Sequence, residues 1–239
     1  MSEYKNYIFD LYGTLVDIRT REDVRSLWQR TALYYAVHGA AYAPAELRRA
    51  WVRLCGAEQN RDPDPFYELE LRRVFRALYE EKGVRPEDRL VEETAVFFRL
   101  CSVQKLRLYP WVKPVLARLR RSGAGIFLLS NAQACFTRPE LAALGIAAAF
   151  DAVALSSEAG VRKPSPAFLK GLLSDQGLAP EDCLLIGNDQ RADVAVARAC
   201  AVDCLYIQTE TSGPYDPAGR ADRELRDGDF SRLPELLGL

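Results

Sequence analysis

Four short apolar runs in this chain each end in residues able to do chemistry. Asn6, Tyr7, Ile8 and Phe9 lead to Asp10 and the Gly13-Thr14 turn. The run 125–129 stops at Ser130 and Asn131, and 153–155 leads through Ser156 and Ser157 to Lys163. The run 183–186 stops at Gly187, Asn188 and Asp189, with Asp193 behind. Apolar runs of this length between turn residues read as buried strands of a parallel sheet. In an open parallel sheet, ligands lie outside the carboxyl ends of the strands. The pattern therefore gathers a carboxylate, a hydroxyl, a lysine and a second pair of acids along one edge. Each has an ordinary meaning taken singly. A strand-end acid forms a turn, Ser-Asn caps a helix, Lys163-Pro164 makes a surface turn, and Asp189 and Asp193 suit a helix N-terminus. Their order and their shared edge carry the functional reading.

Composition narrows the chemistry. His38 is the only histidine of the 239 residues, which removes a two-histidine metal site and leaves a Ser-His-Asp triad one candidate base. The work falls on carboxylates, lysine, hydroxyls and a hard metal ion. The six cysteines show no CxxC spacing, with Cys200 and Cys204 the nearest pair. They read as buried, reduced thiols of a cytoplasmic protein. A formal net charge of −1 supplies no basic field for nucleic acid or membrane. Arg118, Arg120 and Arg121 read as the solvated end of a helix. No apolar run approaches the ~18–20 residues that span a bilayer. Residues 1–5 run straight into the first strand, which speaks against a secretory signal. The expected partner is a small, anionic substrate; the oligomeric state is not legible.

The elements that must position these residues fall into two textures. From about 20 to 106 the chain is rich in Arg, Glu, Leu and Ala at helical spacing, with faces at Leu27, Thr31 and Tyr34, at Leu69, Val74 and Leu78, and at Val91, Ala95 and Phe98. Breakers at 42–44, 62–65 and 83–86 separate the helices. No strand is expected in this stretch. Trp28, Tyr34, Tyr35, Tyr42 and Trp51 read mainly as its core, and Arg19 and Arg21 as surface residues. From 109 onward strands alternate with helices, which predicts a doubly wound, Rossmann-like parallel α/β sheet. One strand precedes the helical stretch and the others follow it. The expected organisation is a discontinuous core, 1–17 plus 107–239, with an all-helical domain at 18–106.

The motifs themselves resemble those of the haloacid dehalogenase (HAD) superfamily. Phe9-Asp10-Leu11-Tyr12-Gly13-Thr14-Leu15-Val16-Asp17 is similar to its first motif and Leu128-Leu129-Ser130-Asn131 to its second. Arg162-Lys163-Pro164-Ser165-Pro166 is similar to the third, and Gly187-Asn188-Asp189 with Asp193 to the fourth. All four stand in the family's order, and the helical stretch occupies the place of its cap. The resemblance implies Asp10 as a nucleophile that forms a covalent ester, splitting one hard step into two. It implies that Ser130, Asn131, Thr14 and the backbone N–H groups of Leu11 and Tyr12 bind the transferring group, and that Lys163 neutralises charge. It implies Mg²⁺ held by Asp10 and Asp189, with Asp193 in support and Tyr12 offering only its carbonyl. Asn188 is the alternative to Asp189.

Tyr12 departs from the phosphatase pattern, which has a second Asp there to protonate the leaving group. A Tyr at this position resembles the 2-haloacid dehalogenases, which expel halide without a proton and without a metal. Asp189 and Asp193 point the other way, because two carboxylates beside Asp10 repel unless a cation lies among them. General acid catalysis contributes about 10²–10⁴-fold, whereas charge neutralisation is most of phosphoryl-transfer catalysis. The first expectation is therefore a Mg²⁺-dependent phosphohydrolase for a small phosphorylated metabolite, with atypical acid catalysis. The second is a metal-independent 2-haloacid dehalogenase, and the third a non-catalytic protein that binds a phosphate ligand.

Overall fold

A computed structural model describes residues 4–238. The chain begins with β1 (Asn6–Phe9) and β2 (Val16–Thr20), followed by four helices, α1 (Arg25–Val37), α2 (Pro44–Gln59), α3 (Leu71–Glu80) and α4 (Asp88–Ser102). Then come β3 (Val103–Leu108), α5 (Val112–Arg121), β4 (Gly125–Ser130), α6 (Ala134–Ala143), β5 (Ala152–Leu155), the short α7 (Ser156–Ala159) and α8 (Pro166–Gln176). The last part holds β6 (Cys183–Gly187), a π turn at Gln190–Val194, α9 (Ala195–Ala199), β7 (Asp203–Ile207), β8 (Arg223–Leu225) and α10 (Leu233–Leu236).

Six strands form one parallel sheet in the order β5-β4-β1-β6-β7-β8. The doubly wound α/β expectation is borne out. Alternation along the strands sends successive side chains to opposite faces. Tyr7, Phe9, Leu184 and Ile186 join one buried cluster, which also takes Val112, Leu116 and Leu233. Ile8, Phe127, Leu129 and Leu185 join the other, under Leu169, Leu172 and Val196. With both faces covered, the central strand β1 cannot shift register without exchanging its two faces. That fixes where Asp10 emerges.

The expectation of no strand between 20 and 106 needs correction at both ends. β2 and β3 pair antiparallel, with Asp17 opposite Arg107 and Arg19 opposite Lys105. The chain thus leaves and re-enters the α/β layer through a two-stranded ribbon. Its residues are too charged for the apolar-run signal, and each strand finds its partner some ninety positions away. β8 also escaped notice, because Arg-Glu-Leu carries no pattern of its own.

The four helices gather around a separate cluster in which Trp28, Tyr35, Tyr42, Trp51, Phe75, Tyr79 and Phe98 are buried. Tyr34 is half-buried and stacks on Phe97. Cys135 and Phe136 of α6 belong to this cluster too, so the helical unit is packed onto the α/β layer through apolar contact. None of the helices among the described residues is long and apolar enough to cross a membrane.

Asp17 is the polar anchor of the ribbon. Its carboxylate is buried and meets Lys105 Nζ at 2.8 Å and Arg107 Nε at 2.9 Å. Burial alone would raise the Asp17 carboxyl, but hydrogen bonds and charge from Lys105 and Arg107 outweigh it and hold the pKa below its ordinary 3.8. Both cationic partners are well exposed, so solvent screens the pair. Asp17→Asn is expected to cost about 1 kcal/mol in urea denaturation at neutral pH. A lowered carboxyl stabilises above the unfolded pKa and loses that contribution as pH falls through the folded one. The gap between variant and wild type should therefore close below about pH 4, and a gap that stays constant down to pH 2 would show that the charge pair is not its source.

Candidate active site

Three neighbouring strands deliver the polar residues to one edge. Asp10 follows β1, Ser130 ends β4, and Asn188 and Asp189 follow β6. The Asp10 amide still donates to the Ile186 carbonyl at 2.9 Å, so its position is tied to the sheet. Lys163 arrives from the loop after α7. With Tyr12 and Asn131, these residues line a cavity of about 130 Å³.

Lys163 is the centre of the arrangement. Its Nζ donates to Asp10 Oδ1 at 2.8 Å, to the Leu129 carbonyl at 2.8 Å and to Asp193 Oδ1 at 2.6 Å. Those three bonds exhaust an ammonium's donors. Burial on its own would lower the lysine pKa, but the charges of Asp10 and Asp193 outweigh it and hold the pKa above its ordinary 10.5. Asn131 sets the lysine's backbone from both sides: its Nδ2 donates to the Lys163 carbonyl at 3.0 Å and its Oδ1 accepts the Lys163 N–H at 2.8 Å. Asn131 thus faces Lys163 with both ends of its amide.

Asp10 is 7% exposed. Its Oδ1 also accepts Ser130 Oγ at 3.3 Å, and its Oδ2 accepts Thr14 Oγ1 at 2.9 Å. Thr14 is fully buried, with Asn188 Oδ1 3.3 Å away, so its hydroxyl points at Asp10 and Asn188. The Leu11 side chain lies in the core, and its carbonyl accepts N–H groups from Thr14, Leu15 and Val16. This tight loop depends on Gly13, whose φ of +85° suits glycine, and where a Cβ would collide with Thr211 and Asn188.

Behind β6 the chain takes its π turn. Asp189 caps it, its Oδ1 accepting Arg191 N at 2.8 Å and Ala192 N at 3.3 Å. Asp193 folds back beneath, and its Oδ2 accepts the Asp189 N–H at 3.0 Å. A Cβ on Gly187 would collide with the Asp193 carboxylate; glycine here makes the room in which that carboxylate reaches Lys163. Asn188 is turned aside, its Nδ2 donating to Thr209 Oγ1 at 3.3 Å and Thr211 Oγ1 at 3.1 Å.

Tyr12 reaches away from Asp10. Its hydroxyl makes a short hydrogen bond to Glu140 Oε2 and stands 3.0 Å from Thr137 Oγ1. Glu140 Oε1 accepts Arg99 Nε at 2.6 Å, and the Arg99 guanidinium lies 5.8 Å from the Tyr12 ring centroid. Burial, then the charge and hydrogen bond of Glu140, push the phenol well above its ordinary pKa. Glu140, Thr137 and Arg99 had no signal in the sequence, for each lies some 90 to 130 positions from Tyr12. His38 lies outside the cavity, with its Nδ1 2.8 Å from the Tyr34 carbonyl.

A second seam joins the helical unit to the loops that border the cavity. Tyr67 makes an antiparallel bridge with Val161. The Arg162 N–H donates to the Phe66 carbonyl at 2.9 Å and the Glu68 N–H to the Gly160 carbonyl at 3.2 Å. Gln133 Nε2 donates to the Leu69 carbonyl at 2.8 Å, and Gln133 Oε1 accepts the Leu71 N–H at 2.9 Å.

A parallel sheet brings an aspartate, a serine, a lysine and a further acid together at its carboxyl edge, where open α/β folds bind their ligands. The profile of the haloacid dehalogenase-like hydrolases matches residues 4–201, and the chain belongs to that family. It is 36% identical over 161 residues to a phosphoserine phosphatase of Thermus thermophilus, covering 67% of this chain and 62% of that protein. It is 29% identical over 206 residues to a phosphoglycolate phosphatase of Pseudomonas savastanoi, covering 85% and 69%. In fold it is similar to the crystal structure of a 2-haloacid dehalogenase from Pseudomonas syringae, with a TM-score of 0.69 at 21% identity and 98% of each chain covered.

Removing the Asp193 carboxylate would leave the Lys163 ammonium buried with one acid in place of two. Breaking a buried pair costs about 3–5 kcal/mol. Because Asp10 remains, Asp193→Asn is expected at the lower end, about 3 kcal/mol by chemical denaturation. A loss below about 1 kcal/mol, the range of exposed pairs, would mean that Lys163 does not depend on Asp193.

Proposed function

We propose that the protein is a Mg²⁺-dependent phosphohydrolase acting on a small phosphorylated metabolite, with Asp10 as nucleophile and the helical unit as the cap that shields the site. The carrying observation is the charge of the cavity. Asp10, Asp189 and Asp193 supply three carboxylates against one ammonium, Lys163. An excess of negative charge would repel a phosphate monoester, and a divalent cation reverses that sign.

The donors suit such an ion. Mg²⁺ takes oxygen ligands and keeps several waters, so it is bound by one or two carboxylates and substrate rather than by a full protein cage. Among the described residues no three His, Cys, Asp or Glu side chains are grouped to hold a metal by themselves. Asp10 and Asp189 would hold the ion with the Tyr12 carbonyl. Asn188, whose amide nitrogen is spent on Thr209 and Thr211, is the weaker alternative to Asp189. When bound, the ion neutralises charge on the transferring phosphoryl group.

The chain's own residues supply the rest. Lys163 orients Asp10, with Oδ2 steadied by Thr14 and Oδ1 by Ser130. Ser130 and the backbone N–H groups of Leu11 and Tyr12 would cradle the phosphoryl oxygens, a preorganised donor set of the kind that stabilises developing charge. The relatives named as phosphatases support this reading. The 2-haloacid dehalogenase alternative draws on Tyr12, whose hydroxyl is committed to Glu140.

p-Nitrophenyl phosphate is expected to be turned over with Mg²⁺, lost with EDTA and lost in Asp10→Asn. Metal-independent turnover would count against the proposal. Chloride release from 2-chloropropionate without added metal would replace it with the dehalogenase.

A further inference from the structure

We propose that this site takes phosphoryl donors whose leaving group departs as a stable anion, acyl and aryl phosphates, in preference to phosphate esters of alkyl alcohols. The inference rests on the phosphohydrolase reading of the same cavity and names its substrate class. When Asp10 Oδ attacks phosphorus, the P–O bond to the leaving group breaks and the leaving oxygen keeps the electron pair. An alkoxide needs a proton at that moment, and a carboxylate or an activated phenolate does not. In the second step water attacks the aspartyl phosphate, the P–O bond to Asp10 breaks, and the water's proton goes out with the released phosphate.

Each side-chain N–H or O–H group lining the cavity already has an acceptor. The three Lys163 N–H bonds go to Asp10, the Leu129 carbonyl and Asp193. The Ser130 hydroxyl donates to Asp10. The Asn131 amide is engaged by the Lys163 backbone, and the Asn188 amide nitrogen by Thr209 and Thr211. Asp189 Oδ1 accepts two backbone N–H groups, and Asp193 accepts a donor on each oxygen.

Tyr12 is the remaining candidate. Its hydroxyl is bonded to Glu140 and lies against Thr137, both on α6, and Glu140 is itself fixed by Arg99. The proton is therefore given to a carboxylate outside the cavity. Freeing it would leave a buried Glu140 without one of its two donors, a cost of about 1–3 kcal/mol.

The test is a series of kcat/KM values at fixed Mg²⁺ for acetyl phosphate, p-nitrophenyl phosphate, phenyl phosphate, phosphoglycolate and phosphoserine, each corrected by Asp10→Asn. Acetyl and p-nitrophenyl phosphate should be fastest. Because a general acid contributes about 10²–10⁴-fold, phosphoglycolate and phosphoserine should trail them by at least about 10²-fold. Alkyl phosphates within tenfold of p-nitrophenyl phosphate would overturn the proposal and leave the phosphohydrolase reading standing. No phosphate release from any member would overturn both. Tyr12→Asp, with its fold checked by circular dichroism, should narrow the aryl-to-alkyl gap by about 10²-fold. A folded variant with the gap unchanged counts against the proposal, and the wild-type series decides it whether or not the variant folds.

Discussion

Everything at the carboxyl edge of the sheet is arranged around one buried cation. Lys163 sits between Asp10 and Asp193 and is bonded to both buried carboxylates. Its demand for three acceptors explains features that look unrelated in the chain. The Leu129 carbonyl, one residue before the end of β4, is left to the ammonium. Asn131 exists in this geometry as a clamp on the lysine backbone. Gly187 and the π turn together bring Asp193 under the sheet edge. Asp10 is consequently held in one orientation, its two oxygens fixed by Lys163, Ser130 and Thr14.

The second shared constraint is the loop between β1 and β2. In six residues it turns the chain from the central strand to the ribbon that carries the helical unit. The Leu11 carbonyl gathers three N–H groups, Gly13 supplies the left-handed backbone, and Thr14 reaches back to Asp10. The Tyr12 hydroxyl reaches Thr137 and Glu140 of α6, and these partners determine what it can do. The residue type alone says that a phenol stands two positions after Asp10. Its bond to Glu140 says where the phenol's proton goes.

Much of this edge was legible in the sequence because its signals are local. Short apolar runs ending in Asp10, Ser130 and Asn188-Asp189 mark strands and their carboxyl ends, and two textures separate sheet from helices. What escaped notice depends on distant pairing. The β2–β3 ribbon joins Asp17 to Arg107, and no periodicity within Val-Asp-Ile-Arg-Thr announces that partner. Glu140 reads as a polar position of an ordinary helix, and Arg99 as the basic end of another; only folding joins them to Tyr12. Asp189 illustrates a different limit, since the bland reading as a helix-type cap and the functional reading as a cavity acid hold in the same side chain.

The seam between Tyr67 and Val161 has a consequence for how anything reaches Asp10. The residues paired there, 160–162, run directly into Lys163, and Gln133 ties the same segment of the helical unit to the turn after Ser130 and Asn131. Phe136 meanwhile is packed among Phe75 and Phe98 of the helices. The helical unit therefore cannot swing away while the floor stays still. Any swing of that unit breaks the backbone bonds at 160–162 and the Gln133 bonds together, so it pulls at once on the segments leading to Lys163 and from Ser130.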